Sequence, residues 1–261
     1  MQSSNLPSEE SSAAAPPPSL GTCLVNVLAA PGEAFERLRP TPARTATWLV
    51  PGLILLLVSW IGTTIVFSQD SVKQQISDMQ EKGLQRQVEK GKLTQDQASQ
   101  AREMATKIGG IVMRVFAYGA PVFGAFVTPF WWGLLLWLIG GSILKGACPY
   151  LKAVEVAGLA NMIGVLGAVL KILLILVTGN LFAGTSPAFL IPNFDPGIPS
   201  HAALLNLDVM TFWGLAIYGL GIAKVSGVAI GKAIAWTFAF WAVITGFWVG
   251  FGWAVQRIVG G

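Results

Sequence analysis

Residues 47–68 read TWLVPGLILLLVSWIGTTIVFS and contain no charged side chain. An α-helix rises ~1.5 Å per residue, so a helix of this length covers the ~30 Å hydrocarbon core of a bilayer. Trp48 stands at the start of the stretch, where amphipathic rings prefer the membrane interface. Pro51 falls in the first turn, where its missing N–H costs least. The stretch therefore predicts a membrane-spanning helix.

The composition of the whole chain agrees with a membrane protein. Of its 261 residues 53% are hydrophobic and only 11% are charged, and the mean hydropathy is +0.62. Soluble domains are about one quarter charged, which excludes an ordinary soluble fold, and the same composition excludes a disordered chain. The net charge is +4, but the basic residues flank apolar runs instead of clustering, so no nucleic-acid partner is expected.

Further apolar segments predict four more spans, at about 108–144, 153–177, 208–224 and 232–255. The segment 108–144 is too long for one untilted span, and a division into two spans at Pro121 or Pro129 is the alternative. The sequence between those prolines, VFGAFVT, offers no polar turn, so we predict one long helix with a kink. The expected fold is an all-α integral membrane bundle of five transmembrane helices within residues 47–255.

Three extramembrane segments accompany the bundle. Residues 1–23, with their Pro-Pro-Pro run, predict a disordered tail, and residues 24–46 predict an amphipathic interfacial helix, with packing on the bundle as the alternative. Residues 69–107 are charged throughout and predict a helical hairpin outside the bilayer with a solvated face. Thr94 and Gln97 have the spacing of a capping box, and Gly91 is expected in the turn before them.

Loop charges predict the orientation through the positive-inside rule. Lysines and arginines lie before the first span, between the second and third, and between the fourth and fifth, whereas the 178–207 linker has none. We therefore expect a cell (inner) membrane protein with a cytoplasmic N-terminus and an outside C-terminus. Six spans would reverse every later loop and destroy this pattern.

Four polar residues at the spans are candidate functional groups, because ionisable side chains are rare inside membranes. Glu155 could pair with Lys152 or Lys224, but a simple interface carboxylate is the preferred interpretation. Asn161 is expected to form an interhelical hydrogen bond, Lys171 to extend towards the interface, and Asp208 to open the fourth span. Small-residue spacing predicts helix packing within the bundle, with a dimer seam as the alternative, at four glycines: Gly227, Gly231, Gly246 and Gly250.

No motif for catalysis or for a cofactor is present. The chain has one histidine, His201, and lacks the G-x-S-x-G, H-E-x-x-H and P-loop patterns, so we predict no enzyme, no metal site and no cofactor. Cys23 and Cys148 form no disulfide framework. Acylation of Cys148 is conceivable, but an idle thiol is the preferred interpretation.

Three segments resemble the bacterial Yip1-domain membrane proteins: Val27-Leu28 with Pro31–Phe35, then 152–160 (KAVEVAGLA), then 207–213 (LDVMTFW) with Gly221-Ile222 and Ser226-Gly227. The resemblance covers about 24–255, with the hairpin as an insertion. It implies five membrane helices and a cytoplasmic N-terminus. Eukaryotic members are associated with Rab GTPases, but this chain lacks their D-L-Y-G-P signature, which makes a GTPase partner doubtful.

The leading functional hypothesis is a non-enzymatic membrane scaffold or accessory subunit of a larger complex. Its expected partners are the lipid bilayer and either another membrane protein or a second copy of the chain. The alternative is a transporter or channel subunit that uses the polar residues of the third span. An intramembrane enzyme is third, with His201 as its only candidate base.

Overall fold

The computed structural model describes residues 18–260, except the side chains of Thr106 and residues 256–260. This range is helical and contains no strand. Its helices are α1 (Leu20–Ala29), α2 (Pro31–Leu38), α3 (Thr45–Ser68), α4 (Asp70–Glu89), α5 (Gln95–Met104), α6 (Gly110–Phe126), α7 (Thr128–Trp137), α8 (Tyr150–Thr178), α9 (Pro199–Leu204), α10 (Val209–Ser226) and α11 (Ile230–Gly260). Residues 1–17 of the predicted tail (1–23) lie outside the described residues. The last four residues of the predicted tail belong to α1, which begins at Leu20.

Five helical stretches within residues 18–260 are long and apolar enough to cross a membrane. They are Thr45–Ser68, Gln95–Ile143, Tyr150–Thr178, Val209–Ser226 and Ile230–Val255. The predicted all-α bundle of five membrane helices is confirmed.

The second span is one continuous helical stretch of 49 residues, as predicted, and not two spans. It joins α5, α6 and α7 and contains wider π-type turns at Ala105–Gly109 and Leu138–Ile143. The α-helix is interrupted at Val127, just before Pro129. Pro129 has no N–H to donate to the carbonyl of Ala125, and its ring clashes with that carbonyl. The regular helix therefore breaks before it. That carbonyl lies beside Gly52 of α3, where a Cβ atom would come within 2.8 Å of its oxygen.

The connecting segments separate to the two ends of the bundle. At one end, the Lys224 Nζ at the end of α10 lies 3.0 Å from the Glu36 Oε2 of α2. At the other end, Arg86 of the hairpin pairs with Asp195 of the 178–207 linker. The hairpin and the linker therefore lie together, opposite α1 and α2, which is the arrangement that the loop charges predict.

The segment 24–46 differs from the predicted single interfacial helix. It contains most of α1 and all of α2, which are separated at Ala30 because Pro31 opens the second helix. Val27 and Phe35 are fully buried and Leu38 is 3% exposed, all within the core that α8 and α10 share. Protein, not lipid, covers this apolar face, so the alternative of packing on the bundle describes it better.

The hairpin has its predicted capping box, in which the Gln97 N–H donates to Thr94 and the Gln97 side chain accepts from the Thr94 N–H. Gly91 lies in the turn with φ +67°, a left-handed conformation that glycine adopts without strain. One face is not solvated: Val72 and Ile76 are buried against residues of the linker and of α8.

The predicted packing glycines are not where the helices approach most closely. A Cβ atom on Gly231, Gly246 or Gly250 would meet nothing within 4 Å, and Gly227 ends α10 with φ +72°. The closest approach to a backbone atom of another helix is at Gly158, where a Cβ would come within 2.3 Å of the Trp48 Cα. The search for small residues four positions apart missed Gly158, because the residues four positions before and after it, Val154 and Met162, are large.

Candidate functional site

The first polar region is an ion pair near the beginning of α8. Lys152 and Glu155 are paired, and their side chains are 5% and 1% exposed. Lys152 Nζ also donates to the Thr41 Oγ1 at 3.2 Å, and the backbone N–H of Arg44 donates to the Glu155 Oε1 at 3.4 Å. We refer to Thr41, Arg44, Lys152 and Glu155 as the ion-pair cluster.

The ion-pair cluster connects the segment after α2 to the third span. Lysine and glutamate three residues apart on one helix lie on the same face, which permits the pair. Both carboxylate oxygens of Glu155 have partners, one from the lysine and one from the Arg44 backbone. Glu155 is therefore buried and paired near the start of the third span, and its partner Lys152 is one of the two lysines that the sequence left open.

The second polar region is a cavity of about 450 Å³ among α7, α8, α10 and the 178–207 linker. We refer to it as the interhelical cavity. Its polar lining residues are Asn161, Lys171, Thr185, Asp208, Thr211 and Tyr218. Its volume is in the ~300–1,000 Å³ range of small-molecule sites.

Asp208 is held firmly in the wall of this cavity. Its Oδ1 accepts the N–H groups of Met210 at 2.9 Å and Thr211 at 3.1 Å, which caps the N-terminus of α10. Its Oδ2 accepts the hydroxyl of Thr185 at 2.7 Å. The carboxylate thus has a fixed position, and within the part of the chain that the structure describes it forms no salt bridge.

Asn161 and Lys171 lack such partners. Asn161 is 6% exposed, yet its Nδ2 has no hydrogen-bond partner among the described residues. Lys171 is exposed and has no ion pair within residues 18–260. The interhelical hydrogen bond predicted for Asn161 is not made by this nitrogen. Of the predicted polar residues, the structure brings Asn161, Lys171 and Asp208 to one cavity and places Glu155 elsewhere.

Sequence reasoning missed several residues of the interhelical cavity. Trp132 stacks on Tyr218 with a centroid distance of 4.8 Å, and both rings form part of the wall. Thr185 comes from the linker, and no local pattern indicates its contact with Asp208. The order Asp208-Val-Met-Thr211 at the start of an apolar run is a helix-cap signal that points to the role of Asp208.

The remaining chemical groups have structural roles. No group of three metal-ligating side chains occurs in the described part of the chain. Cys23 and Cys148 are both free and buried, and burial raises the pKa of each thiol, which lowers its reactivity. The His201 Nδ1 accepts the Asp195 N–H at 3.2 Å and thus orders the linker.

Comparison with known proteins gives the family. The family model for the Yip1 domain matches residues 25–251, which is most of the chain. The protein belongs to the Yip1 family. This confirms the resemblance of the three segments and agrees with a multi-pass membrane protein, and the Yip1 family is a non-catalytic one. Neither a curated protein nor a solved structure gave a significant match.

Proposed function

We propose that this Yip1 family protein is a non-enzymatic membrane scaffold or accessory subunit that associates with another membrane-spanning helix through its fifth span. The observation that carries the proposal is the poor coverage of α11. In the most apolar 18 residues of α11 only 6% are buried inside the protein, against 22–44% in the corresponding stretches of the other four spans. The fifth span therefore contributes little to the bundle and leaves nearly all its surface available.

The exposed surface of α11 suits close contact with a second helix. Small residues recur at intervals of three or four and all are exposed: Ala235, Ala239, Ala242, Gly246 and Gly250. Membrane helices associate where small residues allow their backbones to approach. We therefore assign Gly246 and Gly250 to a contact with a partner helix outside the bundle, and not to packing inside it.

The proposal places the protein in the cell (inner) membrane with α1 and α2 in the cytoplasm. The end of the bundle with these helices carries Arg37, Arg39 and Arg44 before the first span, and Lys145 and Lys232 at its loops. The positive-inside rule assigns this end to the cytoplasm. The partner is another membrane protein or a second copy of the chain, and no GTPase partner is proposed.

Co-purification from gently solubilised membranes tests the association. The full chain carries one affinity tag, and proteins retained with it are compared between the wild type and Gly246→Leu/Gly250→Leu. We expect the double variant to lose its partner by about tenfold, because bulky side chains prevent close approach. Trp248→Leu, on the opposite face of α11, is the matched control. Equal retention in the wild type and the double variant contradicts the proposal.

A transporter or channel subunit is the second candidate, and the interhelical cavity is the observation that favours it. Glu155 no longer supports this candidate, because Lys152 and Arg44 occupy its carboxylate. Five spans also do not divide into two equal inverted repeats. Solute flux into liposomes that is equal for the wild type and Lys171→Met counts against it.

A further inference from the structure

The interhelical cavity contains one cation and one anion that do not neutralise each other. Lys171 and Asp208 line it together, and both also line an adjoining cavity of about 340 Å³ under the linker. The structure shows no salt bridge for either residue within residues 18–260. Two opposite charges that share a wall without pairing are arranged to meet a ligand that carries both signs.

A second, independent observation also indicates a ligand. Asn161 is nine-tenths buried and lines the interhelical cavity, and its amide nitrogen has no partner in the described structure. A buried donor without an acceptor is energetically costly, so such groups are rare unless something else supplies the acceptor. Asn161 lies ten residues before Lys171 on α8, which is about 15 Å along the helix axis.

We infer that the interhelical cavity binds a zwitterion with a primary ammonium group and a phosphate or carboxylate group. The Lys171 ammonium pairs with the acidic group, and the Asp208 carboxylate accepts from the ammonium group. In a lipid ligand the Asn161 amide donates to an oxygen further along the molecule, beside the stacked rings of Trp132 and Tyr218. Two sources have this chemistry: the headgroup of an aminophospholipid and a free soluble zwitterion.

The fixed geometry of Asp208 explains why a primary ammonium group is preferred. Its two oxygens already accept three hydrogen bonds, from Met210, Thr211 and Thr185, so the carboxylate is oriented before the ligand arrives. A primary ammonium group donates hydrogen bonds to the remaining lone pairs, and such charge-assisted bonds are about twice as strong as neutral ones. A quaternary ammonium group has no N–H and cannot donate.

The test is native mass spectrometry of the delipidated full-length protein in detergent. The added ligands are short-chain phosphatidylethanolamine, phosphatidylcholine, phosphatidylglycerol and soluble phosphoethanolamine. We expect phosphatidylethanolamine or phosphoethanolamine to bind at least about tenfold more tightly than the other two lipids. Tight binding of the lipid alone identifies a membrane source, and tight binding of phosphoethanolamine alone identifies a soluble source. Equal binding of the three lipids overturns the inference.

Three variants assign the binding to this cavity. Lys171→Met and Asp208→Asn each remove one charge, and asparagine keeps the helix cap because it is as good an N-cap as aspartate. We expect each to weaken binding by about tenfold, whereas Lys232→Met, an exposed lysine at the other end of the bundle, leaves it unchanged. Binding that is unaffected by both cavity variants overturns the inference. Retention of the α11 partner by these variants shows that the two proposals are independent.

Discussion

The ion-pair cluster and the interhelical cavity each combine a lysine of α8 with a carboxylate, yet they differ in the exposure of the lysine and in the partners of the carboxylate. In the cluster, Lys152 and Glu155 are at most 5% exposed and are paired directly. In the cavity, Lys171 is exposed and Asp208 is held by backbone N–H groups and a threonine. The comparison teaches that residue type alone does not decide the role of a charged side chain in a membrane helix. The role depends on how many of its hydrogen-bonding groups already have a partner in the protein.

Desolvation explains the difference. A charge withdrawn from water loses several kcal/mol of hydration, so it remains inside a protein only when a partner and further hydrogen bonds compensate. The ion-pair cluster meets this condition with Thr41 and Arg44. The interhelical cavity is open enough to hold water, so Lys171 tolerates having no protein partner. We therefore expect substitutions in the cluster to change stability and substitutions in the cavity to change binding.

Removal of one charge from the ion-pair cluster should have the largest effect. Glu155→Leu leaves the Lys152 ammonium buried without its carboxylate, and we expect a loss of about 3–5 kcal/mol in the free energy of unfolding. The double variant Lys152→Met/Glu155→Leu should recover most of this loss, because no uncompensated charge remains. Thermal unfolding in detergent measures both, with Lys171→Met as the control. A Glu155→Leu variant as stable as the control would assign no structural role to the cluster.

The close approach of α3 and α8 gives the next largest effect. In Gly158→Ala the new Cβ would meet the backbone of Trp48, which cannot move without shifting α3. We expect a loss of about 1–3 kcal/mol in unfolding free energy. Gly164→Ala is the matched control on the same helix, because there the nearest atoms, of Leu55, lie at 3.8 Å. If both variants unfold at the same temperature, the contact at Gly158 does not hold these helices together.

Thiol labelling compares the interhelical cavity with Cys148, a buried thiol four residues before Lys152 of the ion-pair cluster. Cys148 is buried, and burial raises the pKa of its thiol, so less thiolate is present at neutral pH than in a free cysteine. We expect maleimide to modify the cysteine of Lys171→Cys several-fold faster than Cys148, because position 171 is exposed whereas burial hinders the Cys148 thiol and raises its pKa. The Cys148 rate should rise with pH into the alkaline range. The rate at each cysteine is divided by its rate in SDS-unfolded protein. Equal relative rates at position 171 and at Cys148 in the folded protein would contradict the expected difference.

The smallest effect is expected where a charge pair is partly open to solvent. Arg86 and Asp195 join the hairpin to the linker with side chains 39% and 19% exposed. Asp195→Asn should reduce the stability by less than about 1 kcal/mol, and added salt should reduce the difference further. Proteolysis of the linker is the more sensitive measurement. A loss as large as that of Glu155→Leu would show that the linker is part of the core.

Local patterns in the sequence predict much of this fold. The uncharged runs locate five spans, and Thr94, Gln97 and Gly91 locate the hairpin, because capping and turn signals act between residues close in the chain. The single helix at 108–144 also follows from a local observation, the lack of a polar turn. The break between α1 and α2 is also local, because Pro31 opens the second helix.

The parts that the sequence could not predict depend on contacts between distant segments. The further hydrogen bonds of the buried Lys152–Glu155 pair come from Thr41 and Arg44, which lie more than 100 residues away, and Lys224 is occupied by Glu36. The approach of Trp48 to Gly158 requires knowledge of which helices are neighbours. The same holds for Thr185 and Asp208, which come together only because the linker folds back over the cavity.

The length of the hairpin sets how far this protein reaches from the lipid. α4 continues almost directly from the first span for 20 residues, or about 30 Å, and the linker follows it as far as Arg86. The tip at Gly91 therefore stands roughly as far above the bilayer surface as the hydrocarbon layer is thick. Any macromolecule that touches this tip is held at a set standoff, while the spans below remain free to engage neighbours in the plane of the bilayer.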